Sequence, residues 1–541
     1  MRQGWCGAGR AKVCSASGAA IAFAALIALG IPTPAAAQQG QAAAVQSLIN
    51  AGIHPDLRRP SFAEDQDQLR SLYEPEGFAP LWVCDGAPTA QAAAVVAVLA
   101  NADADGLDAA DYDAALFATE GEQLRTAGEP SAERVARFDV ALTVALMRYI
   151  SDSSAGRVNP RLLGYQLDFE PKKIDLPALV LELSRSDDPA QRLAGLDPPV
   201  PVYGILQQAL TRYRALAGRS DLPPVPTLPK LHPGEADPGV PALRVWLKAY
   251  GDLPEGARVP GDAKRYDPAL VAAMKQFQHR HGLDPDGVIG ASTLHALQIP
   301  PSQRVRQIEL AMERLRWLPS QLPERFVLVN IPEFRLRGFA DAAPRVDMGV
   351  VVGSSADKTE TPVLQADMRY LIFRPSWLVP SSIAKKEILP KADRDPSYLT
   401  RQNMELVNGR LRQKPGPNNS LGLLKFILPN PYHVYLHDTP SKALFRRSRR
   451  DFSHGCIRVA DPPALAEFVL EGQTGWDRQR IEDAMKSGPD NHRVDLRSPV
   501  PVYVFYSTAG VDRDGQIAFF DDIYGHDATL ETLLAKGHPR S

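Results

Sequence analysis

Apolar residues recur at helical spacing through the first 220 or so positions and give way to short β-type runs beyond about residue 325. An alanine-rich helical region begins at Ala42 to Leu48. Between Arg134 and Ser151 the residues Phe138, Leu142, Ala145, Leu146 and Tyr149 repeat on one face, which predicts a helix, and another is expected over Tyr203 to Ala217. Residues 222–241 carry seven prolines and predict an extended linker. A compact segment follows. Leu243, Trp246, Leu247 and Tyr250 mark one short helix; Asp267 as N-cap and Pro268 at the first helical position open a second, with Leu270, Met274 and Phe277 on one face. The turn Gly282 to Gly287 leads through Gly290 into a third. After a helix over Val305 to Leu318, strands are expected at 326–331, 346–352, 370–373 and 434–436. Val502 to Tyr506 and Gln516 to Phe520 flank Asp514-Gly515 as a hairpin, and Asp461 to Gly472 reads as one intervening helix. The pattern is multidomain α+β.

Bulk numbers narrow this reading. A chain of 541 residues calls for two to four domains. With 61 Lys+Arg against 63 Asp+Glu it has no basic footprint for nucleic acid. Arg2, Arg10 and Lys12 precede an apolar run from Ala19 to Ile31 and a small-residue stretch, Pro34 to Ala37, the layout of a cleavable export signal over residues 1–37. No other stretch is apolar enough to span a membrane. Beyond that signal only Cys84 and Cys456 remain. An oxidising compartment would allow them to pair, but a disulfide would consume the more chemically placed of the two sulfurs, so Cys456 is expected free.

That placement rests on Ser453-His454-Gly455-Cys456-Ile457-Arg458, with Tyr435-Leu436-His437 upstream and His437 lying 456 − 437 = 19 positions before the cysteine. A free thiol, with a pKa of about 8.5, is mostly protonated near neutrality, and an imidazole that removes and returns its proton turns it into a nucleophile. Gly455 admits a substrate close to the backbone, so its N–H and that of Cys456 are candidate oxyanion donors. His454 is open between an orienting catalytic role and a structural one. Arg458 braces the loop or holds a substrate carboxylate, with bracing favoured. Ser453 is expected to hydrogen-bond within the turn. Tyr435, two residues before His437, shares its strand face and lines the site. Cys456, His454 and His437 are zinc-ligand types, but no CxxC or HxxxH supports a metal, and no cofactor is expected. In papain-like and NlpC/P60 peptidases the cysteine precedes the histidine, the reverse of the order here.

The motif, with His437 upstream, resembles the signature of the L,D-transpeptidase family (YkuD type). Thr361-Pro362, Arg374-Pro375-Ser376-Trp377, the run Gly416 to Gly422 and Lys425-Phe426 extend the resemblance to its long, periplasmic YcbB-like branch. Leu72-Tyr73 with Pro80-Leu81-Trp82 resembles the opening of that branch's helical scaffold. Phe277-Gln278, Gly282-Leu283, Asp286-Gly287, Gly290 and Thr293-Leu294 resemble a three-helix peptidoglycan-binding domain. The expected domains are a scaffold at 38–221, the linker at 222–241, the peptidoglycan-binding-like domain at 242–300, a mostly-β catalytic domain at 303–530 and a tail at 531–541. A cap over about 375–425 carries Trp377 near its base as a substrate contact. The resemblance implies a periplasmic enzyme in which Cys456 attacks a tetrapeptide stem, releases D-alanine, and passes the acyl group to a diaminopimelate amine in a 3→3 cross-link. Carbapenems would acylate the same thiol, and other cell-wall synthesis proteins are the expected partners. Transfer to water, a lipoprotein lysine or a free D-amino acid would use the same acyl-enzyme. A non-catalytic wall-binding protein is the alternative from another class.

Overall fold

The computed structural model describes residues 34–537, apart from 127, 168, 170, 171, 259 and 260. The expected export signal thus lies outside the described residues except for its last four, which open the helix Pro34–Ala51. No helix among the described residues is long and apolar enough to cross a membrane.

The chain packs as two units, Met1–Ser154 with Lys172–Asp197, and Ala155–Pro171 with Pro198–Ser541. The first is helical. Its longest helix, Ala132–Ala155, buries Phe138, Leu142, Leu146 and Tyr149 as the sequence period required. Asp139 is fully buried on that helix, where its carboxylate accepts from the Tyr73 hydroxyl at 2.6 Å and the Trp82 N–H at 2.7 Å. Burial raises its pKa to about 6 against those bonds.

The expected scaffold boundary at 221 does not describe this packing. Helix Pro201–Ala217 places Tyr203, Leu206, Leu210 and Tyr213 in the core of the second unit, with helices Val240–Ala249, Pro268–Arg280 and Pro301–Arg316. The proline-rich run is likewise no free linker. It lacks helix and strand up to Gly239, yet Leu228 and Leu231 are buried in the same core, and Trp246 Nε1–H donates to the Pro223 carbonyl at 3.0 Å. The leucines between its prolines supply apolar contacts that composition alone obscured. Asp267 caps its helix as expected, accepting from the Ala269 N–H at 2.9 Å.

Residues 325–505 are built on a nine-stranded sheet. We number its strands β1 Arg325–Asn330, β2 Arg335–Ala340, β3 Ala343–Gly353, β4 Leu364–Phe373, β5 Leu424–Ile427, β6 Leu436–His437, β7 Asp451–Ser453, β8 Ile457–Val459 and β9 His492–Phe505. Their order is β7-β3-β8-β6-β5-β4-β9-β1-β2, and β2 also pairs with β3, which closes the sheet into a barrel with β7 as an extra edge strand. Val327, Val350, Leu371, Phe426, Leu436, Ile457 and Val502 fill the core, so residues of opposite parity on these strands face outward. The expected hairpin at Asp514-Gly515 has a different first strand. Val502 to Phe505 pair with β1 and β4, the chain turns at Ser507 and Thr508, and Ala509–Val511 pairs with Ile517–Phe519. The C-terminal helix His526–Ala535 extends into the expected tail and buries Leu534.

The second unit contains a buried ion pair. Arg280 donates to both oxygens of Asp252, at 2.7 and 2.6 Å, and to the Tyr213 hydroxyl at 3.0 Å, with both side chains nearly inaccessible. Removing one member leaves the other charge buried alone. Asp252→Ala should therefore lose about 3–5 kcal/mol in urea unfolding followed by tryptophan fluorescence; a loss under about 1 kcal/mol would show that the pair is not buried as described.

Candidate active site

Three adjacent strands assemble the site. Lys425 on β5 is in register with His437 on β6, and His437 is in register with Arg458 on β8. The barrel-facing neighbours Phe426, Leu436 and Ile457 are fully buried, so Lys425, His437 and Arg458 form a row on the outer face. Tyr435 and Cys456, each two residues earlier in the chain and just before β6 and β8, continue that face. Cys456 is free and half-buried. Cys84 is disulfide-bonded, and not to Cys456.

The loop carrying the thiol is held from within and from one side. Ser453 Oγ donates to the Cys456 carbonyl at 2.6 Å and accepts from the Gly455 N–H at 3.2 Å. Gly455 has φ 101°, a conformation that a side chain resists. Thr361 Oγ1 donates to the Gly455 carbonyl at 2.9 Å and accepts from the Gly353 N–H at 2.8 Å. Thr359 Oγ1 donates to the Ser453 carbonyl at 3.0 Å, and Tyr524 ties in Gly353 by donating to its carbonyl at 2.7 Å. A Cβ on Gly353 would overlap the Thr359 carbonyl oxygen, so this close approach requires glycine.

His437 is buried, and its Nδ1 lies 2.5 Å from the Asp438 carbonyl oxygen. A carbonyl only accepts, so Nδ1 carries the hydrogen and Nε2 keeps a lone pair. The Asp438 side chain fixes that peptide, accepting from the Leu423 N–H at 2.8 Å and Lys442 Nζ at 2.7 Å. Burial first, then the Arg458 and Lys425 charges, lower the His437 pKa to about 3. Burial also pushes the Cys456 thiol up, opposed by contacts with Tyr435 and by the Lys425 and Arg458 charges. At neutral pH the resting pair is therefore thiol and neutral imidazole. Lys425 Nζ sits 3.6 Å from the centroid of the Tyr435 ring, and that ring meets His437 edge-on at 5.7 Å.

The cap spans a three-stranded sheet of Trp377–Leu378, Arg410–Gln413 and Met404–Val407, with short helices between the first two in sequence. Trp377 pairs with Gln413 there, and its side chain reaches the Tyr435 hydroxyl. A π-helical turn, Ala384–Ile388, presents Glu387 to the loop that carries Cys456, where His454 Nε2 lies 2.6 Å from its carboxylate. The His454 ring thus bonds to the cap.

The structure brings together Cys456, His437, Tyr435, Trp377 and Arg458, and gives Ser453 an internal role in the turn. The Gly455 N–H is already engaged by Ser453, whereas the Cys456 N–H bonds to nothing in the turn. The Arg458 guanidinium has no hydrogen-bond or ion-pair partner among the described residues, and its Nε is buried without one. Sequence reasoning missed Lys425, Asp438, Thr359, Tyr524 and Glu387 as site residues. Lys425 and Asp438 each carried a signal, a charged residue inside or beside a short apolar strand.

Comparison with known proteins agrees with this architecture. Residues 324–484 match the family profile of the YkuD L,D-transpeptidase catalytic domain, 236–297 that of a putative peptidoglycan binding domain and 67–210 that of a scaffold domain. A putative L,D-transpeptidase of Haemophilus influenzae is 29% identical over 256 residues, 43% of this chain and 51% of that protein. The chain thus spans about half the length of this curated relative. Among solved structures, an L,D-transpeptidase from Mycobacterium smegmatis is matched at 15% identity over 34% of this chain and 58% of that one, with a TM-score of 0.20. An L,D-transpeptidase from Stackebrandtia nassauensis is matched at 14% identity over 51% of this chain and 94% of that one, with a TM-score of 0.23. The chain thus carries a domain similar to the YkuD L,D-transpeptidase catalytic domain, together with segments similar to a peptidoglycan-binding domain and a scaffold domain.

A neutral resting pair has a measurable signature. Only the thiolate is alkylated, so modification of Cys456 by iodoacetamide, followed by peptide mass spectrometry, should rise about tenfold per pH unit from pH 6 to 8. A plateau below pH 7 would mean a preformed thiolate–imidazolium pair.

Proposed function

We propose that this protein is an extracytoplasmic L,D-transpeptidase acting on peptidoglycan stem peptides through a Cys456 thioester. The observation that supports it best is a free thiol just before the strand that pairs with His437's, beside a neutral imidazole whose Nδ1 is already bonded, leaving Nε2 as the base. Nε2 takes the thiol proton as Sγ attacks the carbonyl of the third stem residue. The C–S bond forms, the C–N bond to D-alanine breaks, and the imidazolium protonates the leaving amine. In the second half-reaction an acceptor amine gives its proton to Nε2, the new C–N bond forms, the C–S bond breaks, and the imidazolium returns the proton to Sγ, regenerating the thiol. The Cys456 N–H is the oxyanion donor, and the Gly455 N–H joins it only by releasing Ser453 Oγ. A diaminopimelate amine as acceptor yields a 3→3 cross-link. The cap excludes water, which otherwise turns the reaction into carboxypeptidase hydrolysis.

Wall contact by the three-helix domain fits a groove of about 570 Å³ lined by Arg265, Tyr266, Asp267, Val271 and Lys275. Polar and cationic edges around an apolar floor suit a sugar–peptide polymer bearing carboxylates.

Incubation of the purified protein with a disaccharide-tetrapeptide should give a dimer lighter by one D-alanine and one acyl-enzyme mass on Cys456. Cys456→Ala should abolish both, as well as acylation by a carbapenem. His437→Ala should slow acylation by about 10²- to 10⁴-fold. Tripeptide without dimer would reassign the activity to hydrolysis, and no product with no acylation would refute the enzyme.

A further inference from the structure

We propose that Lys425 and Arg458 form a carboxylate site beside the base, which reads the α-carboxylate of the amino acid whose nitrogen leaves or attacks the thioester. The inference rests on the transpeptidase reading above. Its first support is geometric. The two cations flank His437 in one cross-strand row, with Cys456 on the same face. Its second is the absence of a counter-charge. Elsewhere in this unit Arg280, Arg314 and Arg316 each meet a carboxylate, Asp252, Asp527 and Glu313. Lys425 and Arg458 meet none among the described residues; Lys425 has an aromatic face, and Arg458 has a buried, unpartnered Nε. Half-burying two cations without an anion is costly, and a carboxylate arriving with substrate offsets that cost. Burial lowers the pKa of both, the cost being felt in the free protein.

Chemistry places the carboxylate there. A base that protonates the leaving nitrogen lies about 3 Å from it. The α-carboxyl carbon of that residue is two bonds further on, so it falls beside His437, within reach of one of the flanking cations. The diaminopimelate side-chain amine is also attached to a carbon bearing a carboxylate. One site therefore serves both halves of the reaction, first the terminal D-alanine and then the α-amino carboxylate of the acceptor. The substrate class follows: donors that end one residue beyond the scissile bond, and acceptors that are α-amino carboxylates. Arg458 is thereby a ligand for substrate, where the sequence had favoured bracing, and Lys425 is a further specificity-determining residue.

The test is exchange of the donor's terminal residue, by mass spectrometry, with deuterium-labelled D-alanine and with D-alaninamide as competing acceptors. The wild-type protein should use D-alanine about 10- to 100-fold faster, the range expected for one charge-assisted contact. Lys425→Gln should collapse that ratio toward one, and Lys425→Arg should restore most of it. Carbapenem acylation of each variant reports separately on thiol reactivity. If Lys425→Gln slows both acceptors equally along with acylation, Lys425 only tunes the thiol and the proposal fails. If the wild-type protein uses both acceptors equally, the carboxylate site fails while the transpeptidase reading stands. If it exchanges neither, that reading fails and the proposal falls with it.

Discussion

The register of β5, β6 and β8 is the constraint on which this site depends. Pairing of Lys425 with His437 and of His437 with Arg458 sets three basic side chains side by side, and the two-residue period brings Tyr435 and Cys456 onto the same face. A slip of one residue on any of these strands would turn its polar residue into a core made of Phe426, Leu436 and Ile457. The apolar side of each strand thereby fixes the chemical side. Pairing with β3 leaves β8 covered on its other edge as well, so the strand that follows Cys456 is not at a free border.

Two further layers hold the reacting groups. Thr361, Thr359 and Tyr524 hold the thiol's loop against the end of β3, while Asp438 positions the carbonyl that selects the His437 tautomer. The cap approaches from outside through Trp377 at Tyr435 and Glu387 at His454. The Glu387–His454 bond forms between half-exposed groups and is weak. Such a contact yields readily, whereas the buried Thr361 bonds hold the Cys456 loop firmly.

Much of this was legible from sequence. The long helices announced themselves through periodic apolar faces, Asp267-Pro268 marked its helix start, and the cysteine motif pointed to Cys456 and His437, which lie on neighbouring strands' shared face. The six residues of β2 were not read because two arginines and a glycine interrupt the run; Gly338 is needed there, where Phe468 packs against its Cα. Short strands such as β6 and β8 owe their pairing to tertiary contacts, which no local pattern encodes. The same holds for Lys425. Its place beside the base depends on a partner strand 12 residues away (437 − 425) and on a cross-strand register that spacing along the chain does not reveal. Residues 222–239 show the converse error, where proline content suggested solvated chain but Leu228 and Leu231 are core.

The central claim is electrostatic: burial and two unpaired cations keep His437 neutral, protonated on Nδ1, at rest. Nitrogen-15 NMR of the protein labelled at histidine, with His437 assigned by its loss in His437→Gln, reads this directly. The account predicts one ring nitrogen protonated and the other bare from pH 8 down to pH 5, unchanged in Cys456→Ala. An imidazolium signal from His437 near pH 7 that disappears in Cys456→Ala would contradict it.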